Sequence, residues 1–309
     1  MINNKETMIL QELEKMLYKT EKLEEGENIH ILEEKEHLYD NEISVKINNG
    51  TITALSLRFS GLVQLPENIG ALKNLQYLFV HDNKLNTFPD SIGRLTNLEV
   101  LDAANNTIDT LPSSLGNLKK LKFLYLHNNE LSDIPDCIGE LHELIYLNIS
   151  ENFLQGLPSS LGKLRNLVEF RLYNNSLTTL FNNIGNLKNL KEFYCMYNKL
   201  STLPNTFGEL HNLVKADFKN NVIQTVPNNF GNLSNLMECS FRNNRIREFS
   251  FSMNAMKSLK FLDLRANRLR FVPEQIKELQ SLQKLDLRWN PLKENFGKDK
   301  VKSSILFYY

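Results

Sequence analysis

Apolar residues recur along this chain with a fixed period of 23. Ile52, Leu75, Leu98, Leu121, Leu144, Leu167, Leu190, Leu213, Leu236, Leu259 and Leu282 share one phase, and no insertion breaks it. A period of this length marks stacked supersecondary units rather than a closed globule. Within a period the pattern changes character. In the unit that begins at Leu121, Leu124 and Leu126 alternate with exposed positions, the period-two signature of a short strand. Ile134-Pro135 then turns the chain, and Ile138-Gly139-Glu140-Leu141 has the spacing of a short helical turn on the opposite side. One such unit cannot bury its own apolar face. Stacking closes a core between strand side and helix side, so stability becomes a sum of unit and nearest-neighbour terms.

Polar positions repeat as strictly. Asn83, Asn106, Asn129, Asn152, Asn175, Asn198, Asn221, Asn244, Asn267 and Asn290 form one column, with Ser60 in the corresponding place of the first unit. A carboxamide offers two donors and an acceptor, enough to satisfy backbone groups in turns that no sheet or helix can serve. These asparagines read as structural.

The flanks depart from the period. In residues 1–51, Ile9, Leu13, Met16 and Leu17 make a helical stripe, with Gly26 as a possible helix end. This predicts a capping helix beside the first repeat, although a docking helix for a partner would show the same stripe. Ile43, Val45 and Ile47 precede Asn48-Asn49-Gly50, a hairpin signal. A three-residue loop with its bulge at Gly50 would set Val45 opposite Thr53 and Ile43 opposite Leu55, burying the apolar side chains. Eleven repeats then occupy 52–292 and residues 293–309 form a C-terminal cap; Trp289 and Pro291 at the end of the last repeat, with Phe296 and Ile305-Leu306-Phe307-Tyr308-Tyr309 of the cap, are expected to seal the last unit. An apolar C-terminus could instead be a ligand for a carboxylate-binding groove.

With 41% apolar residues and 36 basic against 36 acidic side chains, no apolar run is long enough for a membrane span. The N-terminus lacks the apolar segment of a secretory signal, so a cytoplasmic location is expected. Cys195 and Cys239 stand where other repeats carry Leu or Phe, while Cys137 lies alone on the helical side, a pattern of neither disulfide nor metal site. Charge is uneven: residues 1–50 carry 6 basic against 12 acidic side chains, and residues 236–309 carry 15 against 8. Such polarity would favour head-to-tail association or an acidic partner at the C-terminal end.

The strand positions between the inward leucines are the candidate functional surface. They include Tyr77, Phe79, His81, Phe123, Tyr125, His127, Tyr146, Arg171, Tyr173 and Tyr194, types enriched at protein interfaces. Cross-strand stacking would account for some of them. A contiguous outward patch is more characteristic of an interaction site, so a protein partner is the expected ligand. Farther along, Lys219, Arg242, Arg265 and Arg288 share one outward column beside Asp217, Ser240, Asp263 and Asp286. Mutual neutralisation is the simpler reading, a track for phosphate or an acidic segment the sharper one, and the interleaved aspartates argue against nucleic acid. Self-association as a structural protein is a third possibility. Asp102, His127 and Ser150 can be drawn as a triad, but nothing supplies an oxyanion hole. His81 and His127 lie two strands apart, too far for shared metal ligation. Neither a catalytic centre, a metal nor a cofactor is expected.

The repeat L-x-x-L-x-L-x-x-N-x-L-x-x-L-P-x-x-I-G-x-L resembles the leucine-rich repeat. Its Leu65-Pro66-Glu67-Asn68-Ile69-Gly70-Ala71-Leu72 form is similar to the intracellular Ras-group proteins and to the repeat regions of Scribble and Erbin scaffolds. The resemblance implies a right-handed α/β solenoid with a curved parallel sheet on its concave face and short helices or turns on the convex face. It also implies a non-enzymatic scaffold that holds signalling proteins, small GTPases or phosphatases among them, on that concave face. Phe181 replaces the motif proline of one unit, and Ser250, Asn254 and Met256 replace Pro, Gly and Leu of another, so local irregularity is expected there.

Overall fold

A computed structural model describes residues 3–32, 42–249, 251–294, 301 and 305–309. The chain divides into two compact units, Met1–Phe153 and Leu154–Tyr309. Each is a sheet of short strands with one strand per repeat, the architecture of a leucine-rich repeat solenoid.

The first unit opens with helix α1 (Asn4–Lys19), followed by β1 (His30–Ile31), β2 (Ile43–Asn48), β3 (Thr51–Leu57), β4 (Tyr77–Phe79), β5 (Val100–Asp102), β6 (Phe123–Tyr125) and β7 (Tyr146–Asn148). The Asn3 side chain accepts the Glu6 N–H at 3.0 Å and caps the helix. Ile9, Leu13 and Leu17 are buried as the stripe predicts, while Met16 is half-buried and the helix ends at Lys19, before Gly26. Glu6 is buried as well. Its carboxylate accepts the Ile52 N–H at 3.0 Å, so α1 satisfies the start of the first repeat strand.

The hairpin forms, but not in the expected register. Its turn has two residues, Asn49 and Gly50, with φ of 49° and 72°, the left-handed pair that a type I′ turn needs. The bulge falls inside the ladder, where Ile47 faces Ile52 and Lys46 faces Ala54, leaving Thr53 as the extra residue. That single insertion sets Val45 opposite Leu55 and Ile43 opposite Leu57, and both Val45 and Leu55 are fully buried. The turn and the bulge together solve the phase problem that a larger loop was expected to solve.

From β3 to β7 the strands are parallel and in register, so Leu55, Leu78, Leu101, Leu124 and Leu147 stand side by side, all without solvent exposure. Burying each contributes about 1.5–3 kcal/mol. The return segments are 3-10 turns, such as Asp90–Arg94, Ser113–Asn117 and Asp136–Glu140. A proline at φ near −67° precedes each of these three, and its carbonyl accepts the N–H three residues on, as Pro89 does from Ile92 at 2.9 Å.

The second unit repeats the plan with β8 (Glu169–Arg171), β9 (Glu192–Tyr194), β10 (Lys215–Asp217), β11 (Glu238–Ser240), β12 (Phe261–Asp263), β13 (Lys284–Asp286) and β14 (Leu306–Tyr308), all parallel to their neighbours. Here phenylalanine takes over the core. Phe193, Phe207, Phe218, Phe230 and Phe241 form a chain of ring contacts at centroid distances between 5.1 and 5.9 Å. Phe181 keeps the turn of its missing proline, since its carbonyl still accepts the Ile184 N–H at 3.2 Å and its ring is buried. At the other anomalous segment, the Phe249 and Phe251 rings meet at 4.8 Å with a 53° tilt and Met253 and Met256 fill the core, with no 3-10 turn among the described residues.

The asparagine column behaves as its chemistry requires. Asn106 accepts the Leu85 N–H at 2.9 Å and donates to the carbonyls of Val80, Ala103 and Ala104 at 3.0 to 3.1 Å. The residue before each asparagine, and before Ser60 in the first repeat, holds a positive φ, between 51° and 64°, from Phe59 through Asp82, Asn105 and Asn128 to Ala266 and Trp289. Asn and Asp tolerate this left-handed region; Phe59, Tyr197 and Trp289 occupy it at a cost and are exposed.

The C-terminal cap differs from expectation. Ile305 is buried and Leu306–Tyr308 adds a strand beside Lys284–Asp286, but Trp289 is 64% exposed and seals nothing. Its left-handed backbone turns the indole away from the core and over the guanidinium groups of the strand face. Phe296 lies outside the described residues.

Candidate functional site

In-register pairing sorts the outward side chains of the first unit into rows. Tyr77, Val100, Phe123 and Tyr146 form one; Phe79, Asp102, Tyr125 and Asn148 form the next. Tyr77, Phe123, Tyr125 and Tyr146 are half-buried, standing between leucines that are wholly buried. Tyr125 and Tyr146 stack at 4.8 Å with a 36° tilt, joining the two rows. Four strands at about 4.8 Å spacing carry this aromatic surface across roughly 14 Å. His81 and His127 lie beyond it, both half-buried.

Phe79 is the exception. It was expected to be available to a partner, but it is only 4% exposed. Its side of the strand is outward, yet its ring is already covered by the protein itself, so it supports the face rather than meeting a ligand. Nearby, His81 Nδ1 lies 2.6 Å from Asp82 and its Nε2 4.0 Å from Asp102, while Phe59 meets the imidazole edge-on at 5.8 Å. Burial pushes the Asp102 carboxyl above its ordinary range, against the opposing pull of His81.

The drawn triad is not assembled. Ser150 has no solvent exposure, and its hydroxyl donates to Asn148 Oδ1 at 2.5 Å. Among the described residues, no group of three or more His, Cys, Asp or Glu is placed to hold a metal ion. Cys195 and Cys239 are free, and burial pushes both thiols up.

On the second unit the strand face is ionic. Arg171 pairs with Glu169 at 2.5 Å and lies 5.3 Å from the ring of Tyr194, whose hydroxyl donates to Glu192 at 2.5 Å. Burial and then that bond push the Tyr194 phenol up. Tyr173 is half-buried beside them. Lys219 meets Asp217 at 3.4 Å, Arg265 meets Asp263 at 2.5 Å and Asp286 at 3.5 Å, and Arg288 meets Asp286 at 2.6 Å. Arg242, level with Ser240 instead of an aspartate, has no carboxylate within ion-pair distance among the described residues and lies 5.5 Å from the Trp289 ring. The predicted basic column is therefore largely neutralised within itself. A hollow of about 410 Å³ over the strands Lys215–Asp217 to Lys284–Asp286 is lined by both signs of charge, Lys215, Glu238, Asp263 and Arg265 among them.

The period, the parallel one-strand repeats and the asparagine ladder agree with a sequence-family match: the leucine-rich repeat region covers residues 52–122 and 111–198. The chain carries a leucine-rich repeat region and has the fold of a leucine-rich repeat solenoid. Among solved structures, it is similar to the plant peptide hormone receptor RGFR1 in complex with RGF2, at 26% identity and a TM-score of 0.59, covering 82% of this chain and 44% of that one. It is also similar to PEPR1 in PEPR1-AtPEP1, at 25% identity and a TM-score of 0.62, covering 93% and 49%. With the Toll–Spatzle complex of Drosophila the identity is 24% and the TM-score 0.72, over 81% of this chain and 35% of that one, a likeness of fold. The chain thus spans less than half the length of these three proteins. No curated protein matches it significantly. The match does not separate the intracellular Ras-group type from other leucine-rich repeats. Among the described residues no helix is long and apolar enough to cross a membrane.

Sequence reasoning passed over the exposed aromatics Phe59 and Tyr197 and took Trp289 for part of the C-terminal seal. Their signal was available, since each precedes the asparagine position of its repeat, where the other repeats mostly carry Asn or Asp.

Proposed function

We propose that this chain is a non-enzymatic scaffold that holds a protein partner on the strand face of the Met1–Phe153 unit. The observation that carries the reading is the group Tyr77, Phe123, Tyr125 and Tyr146, half-buried on an outward face and joined by the 4.8 Å stack of the last two. Large rings of this kind supply contact area at low conformational cost and dominate interface energetics. His81 and His127 border the contact. On the other unit, Arg171 and Tyr194 are already engaged, the first with Glu169 and the second with Glu192. That RGFR1 is solved in complex with RGF2 supports ligand capture as a use of similar repeats. The resemblance to Ras-group repeats points to a signalling partner such as a small GTPase or a phosphatase in the cytoplasm, and free thiols in core positions fit that compartment.

The test is a quantitative pull-down from cytosol with the intact chain and with Tyr125→Ala/Tyr146→Ala, the variant first shown by circular dichroism and a cooperative urea transition to be folded. Captured partners should fall by at least about tenfold, the equivalent of 1.4 kcal/mol. Equal recovery by a folded variant would remove the aromatic face from the binding role.

A further inference from the structure

Most strand-face cations of the Leu154–Tyr309 unit are paired with carboxylates, but those on the loops leaving that face are not. Arg245 and Arg268 occupy one column of these loops, and Arg247, Arg270 and Lys293 another, each member 23 residues from the next. Stacking is direct, as the Lys293 N–H donates to the Arg270 carbonyl at 3.0 Å. All five side chains are exposed, and among the described residues none lies within ion-pair distance of a carboxylate. Arg247, Arg268 and Arg270 converge on a single hollow of about 560 Å³, completed by Glu248, Phe271 and Pro291. Phe271 is 48% exposed, and the Lys293 ammonium lies 5.2 Å from its ring.

Three guanidinium groups around one concavity repel each other unless an anion joins them. Their planar donor forks match phosphate oxygens better than a point charge does, and a phosphorylated side chain brings about two negative charges and three acceptor oxygens. Phe271 and Pro291 give the same hollow an apolar wall, which a free phosphate would not use and a neighbouring side chain would. The track extends over three repeats, about 10 Å at strand spacing, short for a nucleic-acid backbone. Its recessed form suits a single inserted side chain better than a flat anionic membrane, and the Glu248 carboxylate, which opposes phosphate, is outnumbered by the three guanidinium groups. We propose that this loop-side hollow of Arg247, Arg268, Arg270 and Phe271 binds a phosphorylated segment of a protein partner. The site is distinct from the aromatic face, and it lies beside the column singled out from the sequence, whose arginines are mostly occupied.

The test measures retention of the intact chain on a degenerate phosphoserine, phosphothreonine and phosphotyrosine peptide library and on its unphosphorylated counterpart, at 0.15 M salt. Parallel arms use inorganic phosphate as competitor, vesicles containing phosphatidylserine, and a single-stranded oligonucleotide. Phosphorylated peptides should be retained at least tenfold better than unphosphorylated ones. Arg247→Gln/Arg270→Gln should abolish the preference and Arg247→Lys/Arg270→Lys should keep only part of it, because charge remains while the fork is lost. Arg242→Gln and Tyr125→Ala/Tyr146→Ala should leave it intact, separating this site from the aromatic face. Equal retention of both libraries, stronger binding to vesicles or oligonucleotide, or full preference in the folded glutamine variant would each overturn the proposal.

Discussion

The side-chain oxygen of Asn152 accepts the backbone N–H of Leu131, in the preceding repeat, at 3.0 Å. Its Nδ2 donates to the carbonyls of Leu126, Ile149 and Ser150, so one carboxamide closes four backbone valences that no strand or turn serves. Asn152→Ala leaves those groups buried without partners. It should lower stability by about 1–3 kcal/mol, read as a reduced urea midpoint. A midpoint equal to the wild type would show that water reaches the turn and that the ladder is decorative.

How much of this was legible in the sequence follows from what each residue must do. Leu124 and Asn152 serve the same purpose in every repeat, so their columns announce themselves. The hairpin register was less accessible: Asn49-Gly50 signals the turn, but the position of the bulge at Thr53 is decided by the packing of Val45 against Leu55. The outward alternation of Phe123 and Tyr146 was readable, whereas the cover over Phe79 depends on tertiary neighbours. The arginines are the sharpest case. Sequence already sets Arg265 beside Asp263 and suggests that the two neutralise each other, but only side-chain direction reveals that Arg270 opens into a hollow.

Gly208 and Gly156 make a contrasting pair. A Cβ built on Gly208 would lie 1.9 Å from the Asn229 carbonyl oxygen, a backbone atom with no freedom to move aside, whereas one on Gly156 meets nothing within 4 Å. Gly208→Ala should destabilise by about 1–3 kcal/mol through overpacking. Gly156→Ala should be neutral or stabilising by up to about 1 kcal/mol, because it restricts the unfolded chain alone. Denaturant titrations of both variants decide the matter, and equal effects would mean that the repeat turns do not approach as closely as described.

Asp102 supplies a pH dependence. Burial raises its folded-state pKa, so the folded protein favours the protonated carboxyl. The associated stabilisation is fully present below the ordinary value of 3.8 and is lost as pH rises through the raised folded pKa. At neutral pH the carboxylate is thus a burden, and Asp102→Asn, whose amide oxygen can still accept the Ala104 N–H, should be more stable than wild type there. The difference should shrink on acidification and vanish once both states bind the proton. Unfolding midpoints measured from pH 3 to pH 8 test the sign; a gap that widens toward acid would show that the histidine attraction, not burial, governs the group.

Leu124 and Tyr125 are adjacent in one strand and face opposite ways, the first fully buried and the second half-buried. Leu124→Ala should cost about 2–5 kcal/mol, as expected for a cavity between stacked repeats. Tyr125→Ala removes only outward contacts and its 4.8 Å stack with Tyr146, so its effect on stability should stay under about 1.5 kcal/mol. A double-mutant cycle with Tyr146→Ala should return a coupling energy of roughly 0.5–1.5 kcal/mol, the share of the ring pair itself. If Tyr125→Ala instead matched Leu124→Ala in cost, the aromatic rows would be part of the fold's support, and the surface offered to a partner would have to lie elsewhere on the repeats.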